Sequence, residues 1–290
     1  MKYIGIFAFE VFGRFLSILP KRGIYVFADF LYLVGYYVIG YRKKVVFQNL
    51  QNSFPEKTAG EIEKIARKFF HHLSDVMIEN IAFLYIRPER IKQFVSVKNI
   101  ELLHKHYQDN KNITGIIGHY GNWELLTTLP LHTSYTIMSV YKPLKNKFFD
   151  RKVYQMRQRL NCIPIPMKKV FKAVWEHEKK NQPYITGLVS DQSPPKRDIN
   201  YWTTFLNQET AVFSGPEKIA KKFNHAVLFT VVHKIKRGSY QIEFIQLTEE
   251  AAKTKEHEIT ELYIQTLERI IREKPEYWLW SHRRWKHKKT

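Results

Sequence analysis

The residues of this chain best suited to chemistry lie in one short stretch, "ITGIIGHYGNWELL", from Ile113 to Leu126. An apolar run stops at a glycine, presents His119, and places Glu124 five residues later. The spacing alone says little, because 12 histidines and 27 acidic residues make a chance His-x4-Asp/Glu pair expected. A second such pair, His104 with Asp109, lies in the polar stretch "ELLHKHYQDNKN" and serves as the decoy. His119 differs in its setting. "ITGIIG" reads as a buried strand, and "NWELLTTL" as the start of a helix with Asn122 at its N-cap. Open α/β sheets collect ligands outside the carboxyl ends of their strands, where helix N–H groups also point. Gly118 and Gly121 permit the tight backbone of such a turn. Glu124, one turn into the helix, is expected to reach back to the imidazole. A carboxylate on one ring nitrogen fixes the tautomer and leaves the other free as a general base.

A base needs a proton to remove. There is no Gly-x-Ser-x-Gly nucleophile elbow, and Cys162 sits in "LNCIPIP" without a helix N-terminus behind it. Cys162 therefore reads as a small apolar packing residue. The simplest arrangement has His119 activating a hydroxyl of the substrate itself, with no covalent enzyme intermediate. A lone cysteine excludes an intramolecular disulfide and a multi-cysteine zinc site. His71 and His72 are neighbours within a helical pattern and point in different directions, which suits surface or packing roles and not a metal pair.

The elements that must position these residues follow from periodicity. "FVSVKNI", "ITGIIGHY", "SYTIMSVY", "YITGLVSDQ" and "AVLFTVVHKI" read as buried or half-buried strands. Helical patterns lie between them at Trp123–Leu131, Lys147–Leu160, Val170–Lys180 and Gly215–Phe223. The alternation predicts an α/β fold with a mostly parallel central sheet flanked by helices. "GSYQIEFIQL" is expected to pair as a hairpin with the preceding strand, ending the sheet in an antiparallel pair, before a long terminal helix in "KEHEITELYIQTLERIIREKP". Another helical pattern spans "NSFPEKTAGEIEKIARKFFHHLSDVMIENIAFLY".

Residues 1–44 form a different texture. "MKYIGIFAFEVFGRFLSILPKRG" is apolar and aromatic, broken by Glu10 and Arg14, and "GIYVFADFLYLVGYYVIGY" follows with Asp29 as its only charge. No convincing secretory cleavage site is present. The second run is about 20 residues, long enough to cross a bilayer, yet its aromatics and flanking cations equally suit the interface. We expect N-terminal membrane-anchoring helices over residues 1–44 and one α/β domain over residues 45–290. The net charge of +20 implies an anionic partner: nucleic acid, a phospholipid surface or an acidic carrier protein. No recognisable nucleic-acid-binding motif accompanies it.

Taken together and in order, these blocks resemble the bacterial late acyltransferases of lipid A biosynthesis, within the glycerolipid acyltransferase superfamily. "GHYGNWE" resembles the His-x4-Asp/Glu block, and "RKKVVFQNLQNSFPE" the segment after the membrane anchor. "VYKPLKN", "MRQRLNCIPIP", "VSDQSP" and "PEYWLWSHRRW" resemble later blocks. The resemblance implies transfer of a fatty acyl group from an acyl carrier protein thioester to a hydroxyl of a lipid A precursor. This would happen at the cytoplasmic face of the inner membrane, with no metal or redox cofactor. It implies His119 as base and Glu124 as its orienting partner. Arg157 and Arg159 suit a phosphorylated head group through their forked guanidinium groups, and Asp191 and Gln192 suit an acceptor-binding role at a strand end. Lys142 stands where arginine is common, which removes any bidentate contact there. Another acceptor (a lysophospholipid, an aminoacyl lipid or a phosphoinositol mannoside) or a coenzyme A donor would use the same chemistry. A basic nucleic-acid-binding protein and a non-catalytic family member are the rivals of other classes.

Overall fold

From Arg90 onward the apolar residues come in runs too short for helices and bounded by turn residues, and the chain spends them on a central sheet. The computed structural model describes residues 2–180 and 182–289. The chain opens with α1 (Lys2–Ile18), α2 (Lys21–Leu33), α3 (Lys43–Ser53), the long α4 (Ala59–Phe83) and the short α5 (Pro88–Lys92). Then come β1 (Val95–Val97), α6 (Ile100–Gln108), β2 (Ile113–Ile117), β3 (Thr136–Tyr141), α7 (Lys147–Arg159), β4 (Cys162–Pro166) and α8 (Val170–Glu178). The remainder is β5 (Tyr184–Val189), β6 (Tyr201–Phe205), β7 (Gln208–Val212), α9 (Gly215–Phe223), β8 (Ala226–Lys236), β9 (Ser239–Thr248) and α10 (Glu258–Glu273).

Seven strands form the sheet in the order β1-β9-β8-β2-β5-β3-β4. All neighbours run parallel except β8 and β9, so the expected α/β architecture is the observed one. The antiparallel pair does not end the sheet, however. The three-residue β1 adds outside β9, held by a parallel register of Val95 to Tyr240. Two further elements had no strong sequence signal. β4 carries two prolines, which a strand tolerates at a sheet edge, where β4 lies. β6 and β7 form a separate two-stranded hairpin. Trp123–Leu131 is a 3-10 helix containing Pro130, not the α-helix its apolar spacing suggested.

The N-terminal helices are not separate from this body. Leu16, Ile24, Tyr25 and Ala28 share one core with Ile113, Leu125, Ile185 and Ile242 of the α/β unit. Their other faces carry apolar stripes at helical spacing that nothing covers: Ile4, Phe7, Val11, Phe15 and Ile18 on α1, and Val26, Phe30, Leu33 and Tyr37 along α2 and its continuation. That continuation, Val34–Ile39, is a π-helix closed by Gly40 in the left-handed conformation. Lys21–Ile39 is long and apolar enough to cross a membrane by length and composition. α4 opens with a capping box: the Thr58 hydroxyl accepts the Glu61 N–H, and the Glu61 carboxylate accepts the Thr58 N–H at 2.8 Å.

Candidate active site

β2 and β5 are neighbours in register, Ile117 opposite Val189. The ladder runs one step further through Ser190 N–H to Ile117 O at 3.0 Å. The residues two positions beyond each strand, His119 and Asp191, therefore meet. Asp191 Oδ1 lies 2.5 Å from His119 Nδ1, and Oδ2 accepts the His119 backbone N–H at 2.8 Å. Oδ2 also accepts the Trp278 indole N–H at 2.7 Å. Burial alone would raise the Asp191 carboxyl, but His119 and these bonds bring it net below its ordinary range. It stays a carboxylate, which can only accept, so Nδ1 carries the proton and Nε2 presents a lone pair. The exposed Gln192 reaches that lone pair with its amide nitrogen at 3.1 Å. The Trp123 ring stands edge-on against the imidazole, with centroids 4.9 Å apart.

Glu124 does not make the bond expected of it. Its two oxygens accept from Nη2 of Arg157, each at 3.1 Å, and the imidazole belongs to Asp191. The physical reason is local. The segment winds as a 3-10 helix with fewer residues per turn, and it turns Glu124 toward α7 instead of back along β2. Asn122 does not cap that helix with its side chain, which is drawn instead to Glu79 at 2.7 Å.

The other sequence candidates scatter. Arg157 is buried, with its guanidinium 5.4 Å from the Tyr141 ring centroid and its Nε and Nη1 without hydrogen-bond partners among the described residues. It closes on Glu124 within the protein. Arg159 donates to the carbonyls of Phe83 and Leu84 at 2.7 and 3.0 Å, tying α7 to the C-terminal end of α4. Lys142 is exposed and has no part in the His119 cluster. Trp278 and Tyr277, from the closing segment "PEYWLWSHRRW", are the additions: Gly121 N–H donates to Tyr277 O at 3.0 Å, and Tyr120 bridges Trp278. The structure places Trp278 on the carboxylate that holds His119.

The model of the bacterial lipid A biosynthesis acyltransferase family matches residues 1–287. The chain belongs to this family. Among its relatives, the lipid A biosynthesis palmitoleoyltransferase of Escherichia coli K12 is 22% identical over 84% of this chain and 79% of the relative. A lipid A biosynthesis acyltransferase of Shigella flexneri matches with the same figures. A solved 1-acyl-sn-glycerophosphate (LPA) acyltransferase, PlsC from Thermotoga maritima, overlays with a TM-score of 0.40 at 13% identity, covering 89% of this chain and 98% of that one. The protein is an acyltransferase, and its chemistry is lipid acyl transfer.

Two further groups of the acyltransferase bear on its site. Burial pushes the Cys162 thiol up to about 12, and its S–H donates to Thr127 O, so it is protonated at neutral pH and a poor nucleophile. His282 accepts the Ser193 N–H through Nε2 at 3.2 Å and thereby holds the loop after Asp191. Burial lowers its imidazole to about 4. Between that value and the ordinary 6.5, the unfolded chain binds a proton that the folded one refuses. Stability is therefore expected to fall as pH drops from 6.5 to 4, and thermal melts of His282→Gln should show a shallower acid slope than wild type. Parallel slopes would mean that His282 does not carry this dependence.

Proposed function

We propose that the protein moves a fatty acyl chain from an acyl carrier protein thioester to a hydroxyl of a lipid A precursor, with His119 as general base. The acceptor hydroxyl displaces the Gln192 amide and places its proton on Nε2. Its oxygen attacks the thioester carbonyl, the C–S bond breaks, and Nε2 returns the proton to the departing sulfur as the new ester forms. Asp191 holds the tautomer throughout. Glu124, anchored by Arg157 and partly exposed, steers the acceptor hydroxyl toward the imidazole. The observation that carries this reading is the bond order around His119: one nitrogen locked on a buried carboxylate, the other covered only by an exposed, displaceable amide.

In this reading the apolar stripes of α1 and α2 lie in the cytoplasmic leaflet of the inner membrane, with α2 held along its length by the domain and not crossing the bilayer. A groove of about 1120 Å³ between α3 and the C-terminal segment, rimmed by Arg42, Lys44, Arg283 and Lys286 with Glu209 as its one acid, supplies cations for anionic head groups or an acidic carrier. The experiment is transfer of labelled acyl groups from acyl carrier protein to an under-acylated lipid A precursor by detergent-purified enzyme, with coenzyme A thioesters in parallel. Wild type is expected to form product and His119→Ala none. Equal turnover by the two would remove the base assignment, and product only from coenzyme A or on another lipid would change donor or acceptor.

A further inference from the structure

α4 turns three polar residues at i, i+3 and i+7, His72, Asp75 and Glu79, to one buried face beneath the turn that carries His119 and Glu124. None belongs to the His-x4-Glu block, and none has a part in the chemistry proposed above. Two of them hold that turn. His72 Nε2–H donates to Gly121 O at 3.3 Å, and Glu79 accepts the Asn122 amide at 2.7 Å. His72 is suited to this, because burial and then Lys234 keep its imidazole below the ordinary range and neutral.

The same face reaches in the opposite direction, to α2. Glu79 accepts the hydroxyl of Tyr25 on α2 and, at 2.8 Å, that of Tyr240 on β9. Asp75 accepts Lys234 at 2.8 Å and Arg237 at 2.6 Å, and Arg237 donates in turn to Asp29 on α2 at 2.6 Å. So a single buried carboxyl, on Glu79, touches both α2 through Tyr25 and the turn through Asn122. The far side of α2 is its uncovered apolar stripe, Val26, Phe30 and Leu33.

We propose that Glu79 is a positioning residue that couples the seating of α2 on a lipid surface to the geometry of the turn carrying His119 and Glu124. The inference rests on the membrane placement of α2 given above. With one face of α2 pressed by lipid, Tyr25 is steadied, and Glu79 passes that order to Asn122. A free enzyme then holds a looser turn than a bound one. The turn needs such support, because its 3-10 helix has no side-chain cap of its own and the side-chain amide oxygen of Asn122 is buried without a hydrogen-bond partner among the described residues.

The test is amide hydrogen exchange of peptides spanning residues 119–124 in the full chain, with and without phosphatidylethanolamine–phosphatidylglycerol vesicles, flotation reporting binding. Wild type should show exchange slowed about tenfold on the vesicles. In Glu79→Leu, exchange should be fast and indifferent to vesicles, with kcat about 100-fold lower and KM within about twofold. Glu79→Gln should recover both, since burial already raises the Glu79 carboxyl, against the pull of its donors, and the amide is a close mimic. Tyr25→Phe, which removes one hydroxyl, should still float but lose more than half of the vesicle response, and it decides alone if Glu79→Leu does not fold. A wild-type turn indifferent to bound vesicles, or full response in the variants, overturns the coupling. Exchange is read without substrate, so absence of acyl transfer would count against the proposed reaction and leave this result standing.

Discussion

Asp191→Asn is expected to fold and to transfer acyl groups on the order of 10⁴-fold more slowly than wild type, nearly as slowly as His119→Ala. The reason lies in which atoms Asp191 serves. Oδ2 accepts two N–H groups, from the His119 backbone and from Trp278, so an asparagine must put its carbonyl oxygen there. Its NH2 then faces Nδ1, which can no longer carry a hydrogen toward it. The imidazole is driven to the tautomer protonated on Nε2, the atom that must accept the acceptor's proton. Binding is untouched, so the loss should appear in kcat with little change in KM. A melting temperature near that of wild type separates this outcome from unfolding. Glu124→Gln in the same assay tests the companion role. An amide keeps the shape but gives up the ion pair with Arg157, so a smaller loss, about 10²-fold, is expected. An Asp191→Asn enzyme at full speed would mean that the proton leaves by another route.

Gly121→Ala should be the most damaging small substitution in the turn. Gly121 has φ +62°, and a Cβ there would stand 2.0 Å from the carbonyl oxygen of Val232 on β8. That oxygen is backbone in the sheet's antiparallel pair and cannot rotate away. The residue also donates its N–H to Tyr277 and offers its carbonyl to His72, so shifting it breaks the turn on two sides. Left-handed strain and hard overlap together place the cost among the large single-residue effects, about 4 kcal/mol or more. Thermal denaturation should show a drop of about 10 °C or more. By contrast Gly5, which a Cβ would meet with nothing within 4 Å, should accept alanine freely. Equal melting temperatures for Gly121→Ala and wild type would show that the turn is not held as described.

What the chain declared on its own was local. Alternating short apolar runs and helical periods sufficed for a mostly parallel α/β sheet, because a strand buried on both faces must be apolar throughout and its crossovers must be helices. "ITGIIGH" placed His119 at a strand end for the same reason. The apolar, aromatic runs of residues 1–44 were legible as segments seeking something other than water. What could not be read was which strand lies beside which. Between the end of β2 at Ile117 and the start of β5 at Tyr184 lie 66 residues, with β3 and β4 formed among them, and no periodicity encodes that adjacency. Only the register of the assembled sheet brings Asp191 to His119 and leaves Glu124, closer in sequence, to Arg157. The Glu79 network is hidden for the same cause: its members come from α2, α4, the turn and β9. A buried carboxyl gives no sign in sequence of the donors that will surround it. Spacing along the chain determined which residues are available for the chemistry, and the tertiary structure decided which of them touch, because hydrogen bonds are set by ångström distances in space and not by separation in sequence.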